Sequence, residues 1–465
     1  MKRWLLGGLG VVLLGVMVWS LVGAAESILP DRQSTLNSNA DSADDALIVH
    51  EWGTFTSYSG ADGGRLEFRP LFDDDLPPFV LDRSSSSGFG FLSKVSYRAL
   101  VRMETPITYF YTKQPRDVRV KVGFPEGLLT EFYPPAAISP PFKGHNEPKK
   151  NSALDWGTVR LIPESHLTPK MADGRLAEVI AKRTALALPP HADYNNHYAY
   201  ARQTDAALVH VHQPAGKGSA DFGGMGGKAS DHFEKFLFYR GLGDFKLPMK
   251  VQALGNGKAL VNNSGAEPIA WMMLLDVNGE QIRYQAFDGV GAGQQREIAL
   301  PTYAGTLAQM SAELTEALVS TGLYEKESVA MVNTWKSSWF GEQGTRLLYF
   351  VPQPLTDRLL PLTVDPKPAE TVRVLVGRLD LMTPEQETEI TKLVRESAAA
   401  RGAAWHLARE QEQPLKYPLP DSIRKLGRLA EPALTRVRHV STDAAISNEA
   451  GALIQQLHAE LAAQK

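Results

Sequence analysis

From residue 47 to about residue 300, apolar and polar positions alternate in short runs. In "RDVRVKVGF", Val118, Val120, Val122 and Phe124 alternate with Arg119 and Lys121, the period-two pattern of a half-buried strand. "METPITYFYT" and "EKFLFYRG" are β-branched and aromatic runs bounded by turn residues, and they too predict strands. Asn256-Gly257 joins "MKVQALG" to "KALVN", and Asn278-Gly279 joins "AWMMLLDV" to "EQIRYQAF". Each Asn-Gly pair predicts a hairpin, because it supplies the two positive φ angles of a type I′ turn.

From about residue 305 the period lengthens. Leu307, Met310, Leu314 and Leu318 recur at spacings of three and four, with Gly322 as the stop signal, and Met331, Trp335 and Trp339 lie on one helical face. "TRLLYFVP" and "TVRVLVGRLDLM" predict two further strands. Thr383-Pro384-Glu385-Gln386 then combines a capping box with proline at the first helical position, and the rest of the chain reads as helix. The expected class is α+β: an antiparallel, β-rich, sandwich-like core followed by an α/β and helical C-terminal portion.

Proline and glycine suggest where the chain divides. "YPPAAISPPFKGHNEPKKN" (133–151) breaks the strand pattern, as does the glycine-rich stretch 216–230. The expected organisation is a β-rich module at 47–135, a connector at 136–152, a second β-rich module at 153–300 and a C-terminal region at 301–465. "EWGTF" at 51–55 returns as "DWGTV" at 155–159, which raises the expectation of two copies of one module.

The N-terminus differs from the rest. Lys2 and Arg3 precede an uncharged stretch from Trp4 to Ala25 that ends in small residues. Residues 1–25 therefore read as a cleaved export signal or a retained membrane anchor, and either places the remainder outside the cytoplasm. Residues 26–46 are polar and poor in aromatics, the composition of a linker.

Hydrophobic residues make up 43% of the chain and charged residues 22%, with 49 basic against 52 acidic residues and no long single-sign run. Nothing in this balance points to nucleic acid, and no P-loop frame points to a nucleotide. The expected partners are the membrane through an uncleaved N-terminal helix, and an envelope protein or glycan. The absence of cysteine excludes disulfides, thiol nucleophiles, covalent haem and iron–sulfur ligation.

Candidate chemistry starts at "LIVHEWGTFTSY" (47–58). On a strand, Ile48, His50, Trp52, Thr54 and Tyr58 share one face, and Val49, Glu51, Gly53 and Phe55 share the other. His50 and Glu51 therefore cannot chelate one ion together, and the second histidine of HExxH is missing. His210 and His212 in "LVHVHQP" do share a face, and with His197, His232 or Glu234 they would form a zinc or iron site. Asp73, Asp74 and Asp75 are weaker calcium candidates. If the two WGT segments were related, Glu51 and Asp155 could face each other at the separation of roughly 5–10 Å that glycoside hydrolysis uses. His50, Trp52, Trp335 and Trp339 are candidate binding positions.

Taken together, "HEWGTFTS", "METPITYFY", "EKFLFYRG" and "LYEKESVAMVNTWKSSWF" resemble an uncharacterised family of exported bacterial proteins. The resemblance spans nearly the whole mature chain and implies one coherent exported protein, without implying any activity. The leading expectation is a cofactor-free, non-catalytic binding or scaffold protein of the cell envelope. The alternative is a metal-dependent or carboxylate-based hydrolase working outside the cytoplasm.

Overall fold

Three strongly apolar segments, "LIVHEWGTFTSY", "METPITYFY" and "TVRVLVGRLDL", are hydrophobic on both faces, so each has to lie inside a covered sheet. The computed structural model places all three at the centre of the largest sheet. It describes residues 46–69, 76–77, 79–82, 98–140, 150–167, 197–214 and 229–463, with side chains of 197–198 and 461–463 excepted. The signal or anchor, nearly all of the linker, Asp73 to Asp75 and most of the glycine-rich stretch lie outside the described residues.

The strands of the N-terminal half are β1 (Ile48–Ser59), β2 (Arg65–Leu66), β3 (Leu81–Asp82), β4 (Val101–Tyr111), β5 (Arg116–Phe124), β6 (Gly127–Tyr133), β7 (Ala137–Ser139) and β8 (Ser152–Ile162). A short helix, α1 (His197–Ala201), precedes β9 (Leu208–Gln213), β10 (Ser230–Glu234), β11 (Leu237–Gly243), β12 (Met249–Gly255), β13 (Lys258–Asn263), β14 (Ile269–Asn278), β15 (Gln281–Val290) and β16 (Gln295–Ala299). Then come α2 (Leu307–Ser320), α3 (Glu325–Lys336), β17 (Gly344–Val351), α4 (Gln353–Leu359), β18 (Leu362–Asp365) and β19 (Glu370–Leu381). The chain closes with α5 (Pro384–Glu410), α6 (Asp421–Arg424), α7 (Ala430–Val440) and α8 (Ala444–Ala463).

The large sheet runs β15-β14-β17-β19-β1-β4-β11-β6-β3, with β2 beside β1. A second sheet runs β10-β9-β8-β5-β18 with β7 on β8, and a third is β12-β13-β16. The fold is α+β and sandwich-like, as expected. One face of the large sheet (Val49, Phe55, Leu375) packs on the smaller sheets through Val118, Val159 and Val251. The other face (Trp52, Ile107, Val374) packs on α2 and α3 through Met310, Leu314, Met331, Trp335 and Trp339. The end of β1 and α5, α7 and α8 share a further core.

The strands of the expected modules are interleaved in one sheet. Asp45–Lys465 forms one compact unit, and the large sheet draws strands from all three expected regions. Sequence runs reveal strands but not the long-range pairing that interleaves them. The pairing of β1 with β19 is also parallel, against an antiparallel expectation, whereas the other ladders among the described residues are antiparallel.

Turn chemistry behaves as expected in one hairpin and shifts by a residue in the other. Asn256 and Gly257 have φ of 51° and 72° between β12 and β13, as a type I′ turn requires. In the second hairpin Asn278 pairs with Gln281, so the turn is Gly279-Glu280, with positive φ at Gly279 only. The capping box at α5 is present: Thr383 Oγ1 accepts from Gln386 N–H, and Gln386 Oε1 accepts from Thr383 N–H.

The two WGT segments differ in local geometry. At β1 the partner β4 carries one extra residue, so that Thr105 and Pro106 together stand opposite Gly53. A Cβ on Gly53 would lie 2.9 Å from Pro106 Cα, so this glycine admits a close approach. At β8 the glycine does a different job: Gly157 has φ of 62°, and space is open around it. It makes the bulge at which β8 is out of step with β5.

Candidate functional site

Alternation along β1 separates His50 from Glu51 as its pattern requires. Both are buried, and each has a buried side-chain partner. His50 Nδ1 lies 2.7 Å from Glu327 Oε2 on α3. Tyr111 Oη donates to Glu327 Oε1 at 2.8 Å, and the Tyr324 N–H donates to Oε2 at 2.8 Å. The rings of Tyr111 and Tyr324 flank the imidazole. Burial, reinforced by the Glu327 charge, pushes the Tyr111 hydroxyl well above its ordinary value, so it remains a donor.

Glu51 faces the other core. It accepts from Thr108 Oγ1 at 3.0 Å, from Tyr239 Oη at 2.6 Å and from Arg373 Nε at 2.8 Å. Arg373 Nη1 also reaches Asp357 at 2.9 Å. Burial opposes the charge on Arg373, but the Glu51 carboxylate outweighs it and holds the guanidinium protonated. A buried carboxylate with this many donors is a structural anchor.

Asp155 does not stand near Glu51. It is exposed on β8, where its Oδ1 accepts from Gly157 N–H at 2.8 Å, whereas Glu51 is buried in the large sheet. The carboxylate pair is therefore not formed, because Asp155 serves its own bulge and points away from the core. Trp52, Trp335 and Trp339 are fully buried, and Trp335 stacks on Trp339 with centroids 6.2 Å apart. They fill the interior between sheet and helices and offer no surface to a ligand.

The histidines divide in the same way. His210 Nε2 and His212 Nδ1 each lie 2.8 Å from one oxygen, Asp231 Oδ1. Hydrogen bonds from His212 and then His210 hold the Asp231 carboxyl below its ordinary range. The carboxylate oxygen thus occupies the place between the imidazoles. His232 sits on the alternate face of β10, against Ser230 Oγ and Tyr133 Oη, and Glu234 is committed to Arg202 through two 2.9 Å bonds. The side chain of His197 lies outside the described residues. Among the described residues no group of three or more His, Asp or Glu is arranged to hold a metal, so the expected convergence of His210, His212 and His232 is not found.

A different region gathers charge and space. Near the carboxyl ends of β1 and β19, Thr56, Tyr58, Arg378 and Asp380 meet Arg102 and Glu104 from β4 and Arg346 from β17. Glu104 accepts from Thr56 Oγ1 at 2.7 Å and pairs with Arg102 Nη1 at 3.1 Å and Arg428 Nη1 at 3.4 Å. Burial pushes its carboxyl up, but Arg102, Arg428 and the Thr56 hydroxyl outweigh that and hold it at about 2. Arg428 Nε also lies 3.4 Å from Glu342, which Arg378 Nη2 holds at 2.6 Å. Arg378 and Arg346 share Asp380 at 2.7 and 2.9 Å. Arg346 Nη1 additionally donates to the carbonyls of Ser338 and Trp339, closing the chain end that follows α3.

Two cavities open on this array, one on each side of Arg428. The larger, about 390 Å³, is lined by Tyr58, Phe68, Arg102, Glu104, Arg428 and Leu457 among others. The smaller, about 210 Å³, is lined by Tyr58, Glu342, Arg378, Asp380 and Arg428. Burial, followed by the neighbouring Asp380 charge, raises the Tyr58 hydroxyl far above its ordinary value. These residues went unnoticed in the sequence. The available signal was like-spaced charge inside apolar strands: Arg102 and Glu104 in "VRMET", and Arg378 and Asp380 in "GRLDL". Period-two charge in a segment too apolar for a surface strand places both groups on one covered face.

No family model matches the chain, and no curated protein matches it. Among solved structures the chain is similar to the Fcho1 Mu homology domain of Danio rerio with bound Eps15 peptide. That match has 6% identity, covers 72% of this chain and 97% of that one, and has a TM-score of 0.24, which carries no argument about fold or function.

Proposed function

We propose that the chain is an exported, non-catalytic binding protein of the cell envelope that holds an amphipathic small molecule in the 390 Å³ cleft. One observation carries this reading: the cleft joins an apolar wall of Tyr58, Phe68 and Leu457 to the guanidiniums of Arg102 and Arg428. Pockets that combine apolar area with a few fixed polar groups are the usual form of a small-molecule site. An apolar tail would lie on the wall, and an acidic head would meet the guanidiniums of Arg102 and Arg428.

Against the hydrolase alternative stands the burial of both groups: Glu51 accepts from Thr108, Tyr239 and Arg373, and His50 Nδ1 is held by Glu327. Neither lines the two cavities of the cleft. The export half of the reading rests on the basic, then apolar, pattern of residues 1–25.

Decanoate, a molecule of this description, tests the cleft by calorimetric titration. One saturable equivalent is expected, and Leu457→Arg abolishes it by filling the apolar wall with charge. No binding, or binding indifferent to Leu457→Arg, overturns the reading. Cell fractionation with intact-mass measurement tests export: a chain found wholly in the cytoplasm refutes it.

A further inference from the structure

Another cavity, of about 400 Å³, shares Arg69 with the amphipathic cleft. Its wall includes Arg69 and Arg98, Arg438 from α7, and Asn448, Gly451 and His458 from α8. No carboxylate lines it among the described residues. Glu431 stands behind the wall, with its Oε1 3.1 Å from Arg69 Nε and 3.1 Å from His458 Nε2. Neither contact is aligned as a hydrogen bond, and both nitrogens are buried without a hydrogen-bond partner.

Arg438 adds a third guanidinium. It is exposed, and among the described residues its side chain has no hydrogen-bond or ion-pair partner. It lies over Gly451, where an added Cβ would stand 3.7 Å from Nε and 3.8 Å from Cζ. Glycine is second only to proline as the least favourable residue in a helix interior. Gly451 falls midway along α8, and the missing side chain leaves space beneath the guanidinium. Burial lowers the Arg69 guanidinium below its ordinary value; Glu431 opposes that, and the Arg98 charge adds to it. Three guanidiniums thus line one space that no carboxylate lines among the described residues.

We propose that this cavity is a binding site for a phosphoryl group, presented as inorganic phosphate or as a phosphate monoester. Guanidiniums from three separate segments can each fork onto a different edge of a tetrahedral dianion, whereas a single carboxylate offers two oxygens. His458 and the Asn448 amide complete the ring of polar groups. The proposal does not depend on the amphipathic cleft: Arg438 and Gly451 line this cavity and not the cleft, and Leu457 lines the cleft and not this cavity.

The test is calorimetric titration of the full chain with inorganic phosphate, glycerol 3-phosphate and acetate. One equivalent of phosphate or phosphate ester is expected, with acetate much weaker. Arg438→Gln removes an exposed group, and Gly451→Glu sets a carboxylate beneath the guanidinium. Each is expected to weaken binding by at least about tenfold, the loss of one charge-assisted hydrogen bond. Tighter binding of glycerol 3-phosphate identifies a monoester as the ligand, and tighter binding of phosphate identifies the free ion. Absence of heat with both phosphate probes, equal affinity for acetate, or binding unchanged in both variants overturns the proposal.

Discussion

Replacing Glu104 by glutamine removes one negative charge from the array at the end of the large sheet and changes little else in shape. Glu104 is buried, and its partners are Thr56, Arg102 and Arg428. Its carboxyl is held at about 2, against an ordinary 4.5. A depressed carboxyl stabilises the fold fully above its unfolded value, and the contribution is lost as pH falls through the folded one. At about 1.36 kcal/mol per tenfold change, that interval corresponds to about 3 kcal/mol at neutral pH. An independent route agrees, since removing one partner of a buried ion pair costs about 3–5 kcal/mol. Urea unfolding of the wild type and Glu104→Gln at a series of pH values measures the difference. It is expected to be about 3 kcal/mol at pH 7, to shrink below about pH 4.5 and to approach zero near pH 2. Equal stability at pH 7, or a difference that stays constant down to pH 2, refutes the reasoning.

Three further outcomes follow from the same geometry. Glu327→Gln leaves His50, Tyr111 and the Tyr324 N–H sharing a neutral partner; urea unfolding is expected to show a loss of about 1–3 kcal/mol, the cost of weakening buried hydrogen bonds to a charged acceptor. Gly53→Ala and Gly157→Ala, compared by chemical denaturation, should fail for different reasons. The second costs about 1–2 kcal/mol for a left-handed backbone, and the first costs more, because its Cβ meets the Pro106 backbone. Elemental analysis of chain purified without a metal-affinity tag is expected to show no stoichiometric zinc or iron. One equivalent lost in a His210→Ala, His212→Ala double variant would contradict that.

Period-two alternation revealed which face each residue of β1 presents: Val49 and Phe55 enter one core and Trp52 the other. Helix α2 was legible for the same reason, since Met310, Leu314 and Leu318 are its buried stripe. Local patterns could not reveal pairing. β1 bonds to β19 across hundreds of residues, and that ladder sets Arg373 opposite Glu51. The repeated WGT suggested kinship because identical letters hide different backbones, a close approach at Gly53 and a positive φ at Gly157. The cleft was missed because its residues come from β1, β4, β19 and the turn before α7, and the paired charges in β4 and β19 do not reveal from sequence that those segments meet. His210 and His212 were correctly placed on one face, but Asp231, the group that engages them, lies across a strand pair invisible to spacing.

The ladder between β1 and β19 also carries a cost in time. Glu51 and Arg373 are 322 positions apart, and β1 is apolar on both faces until its neighbours arrive. At about 5–20 residues per second, a ribosome needs roughly 15–65 s to deliver the second strand after the first. Throughout that interval a twelve-residue, β-branched and aromatic segment has an open edge, the kind that pairs with other chains. Such topology favours either delivery of the chain unfolded to its destination or a chaperone that occupies the segment during synthesis. Pulse-labelled nascent chains truncated before residue 370 are accordingly expected to aggregate, whereas chains carried past residue 381 are expected to become protease-resistant in a single step.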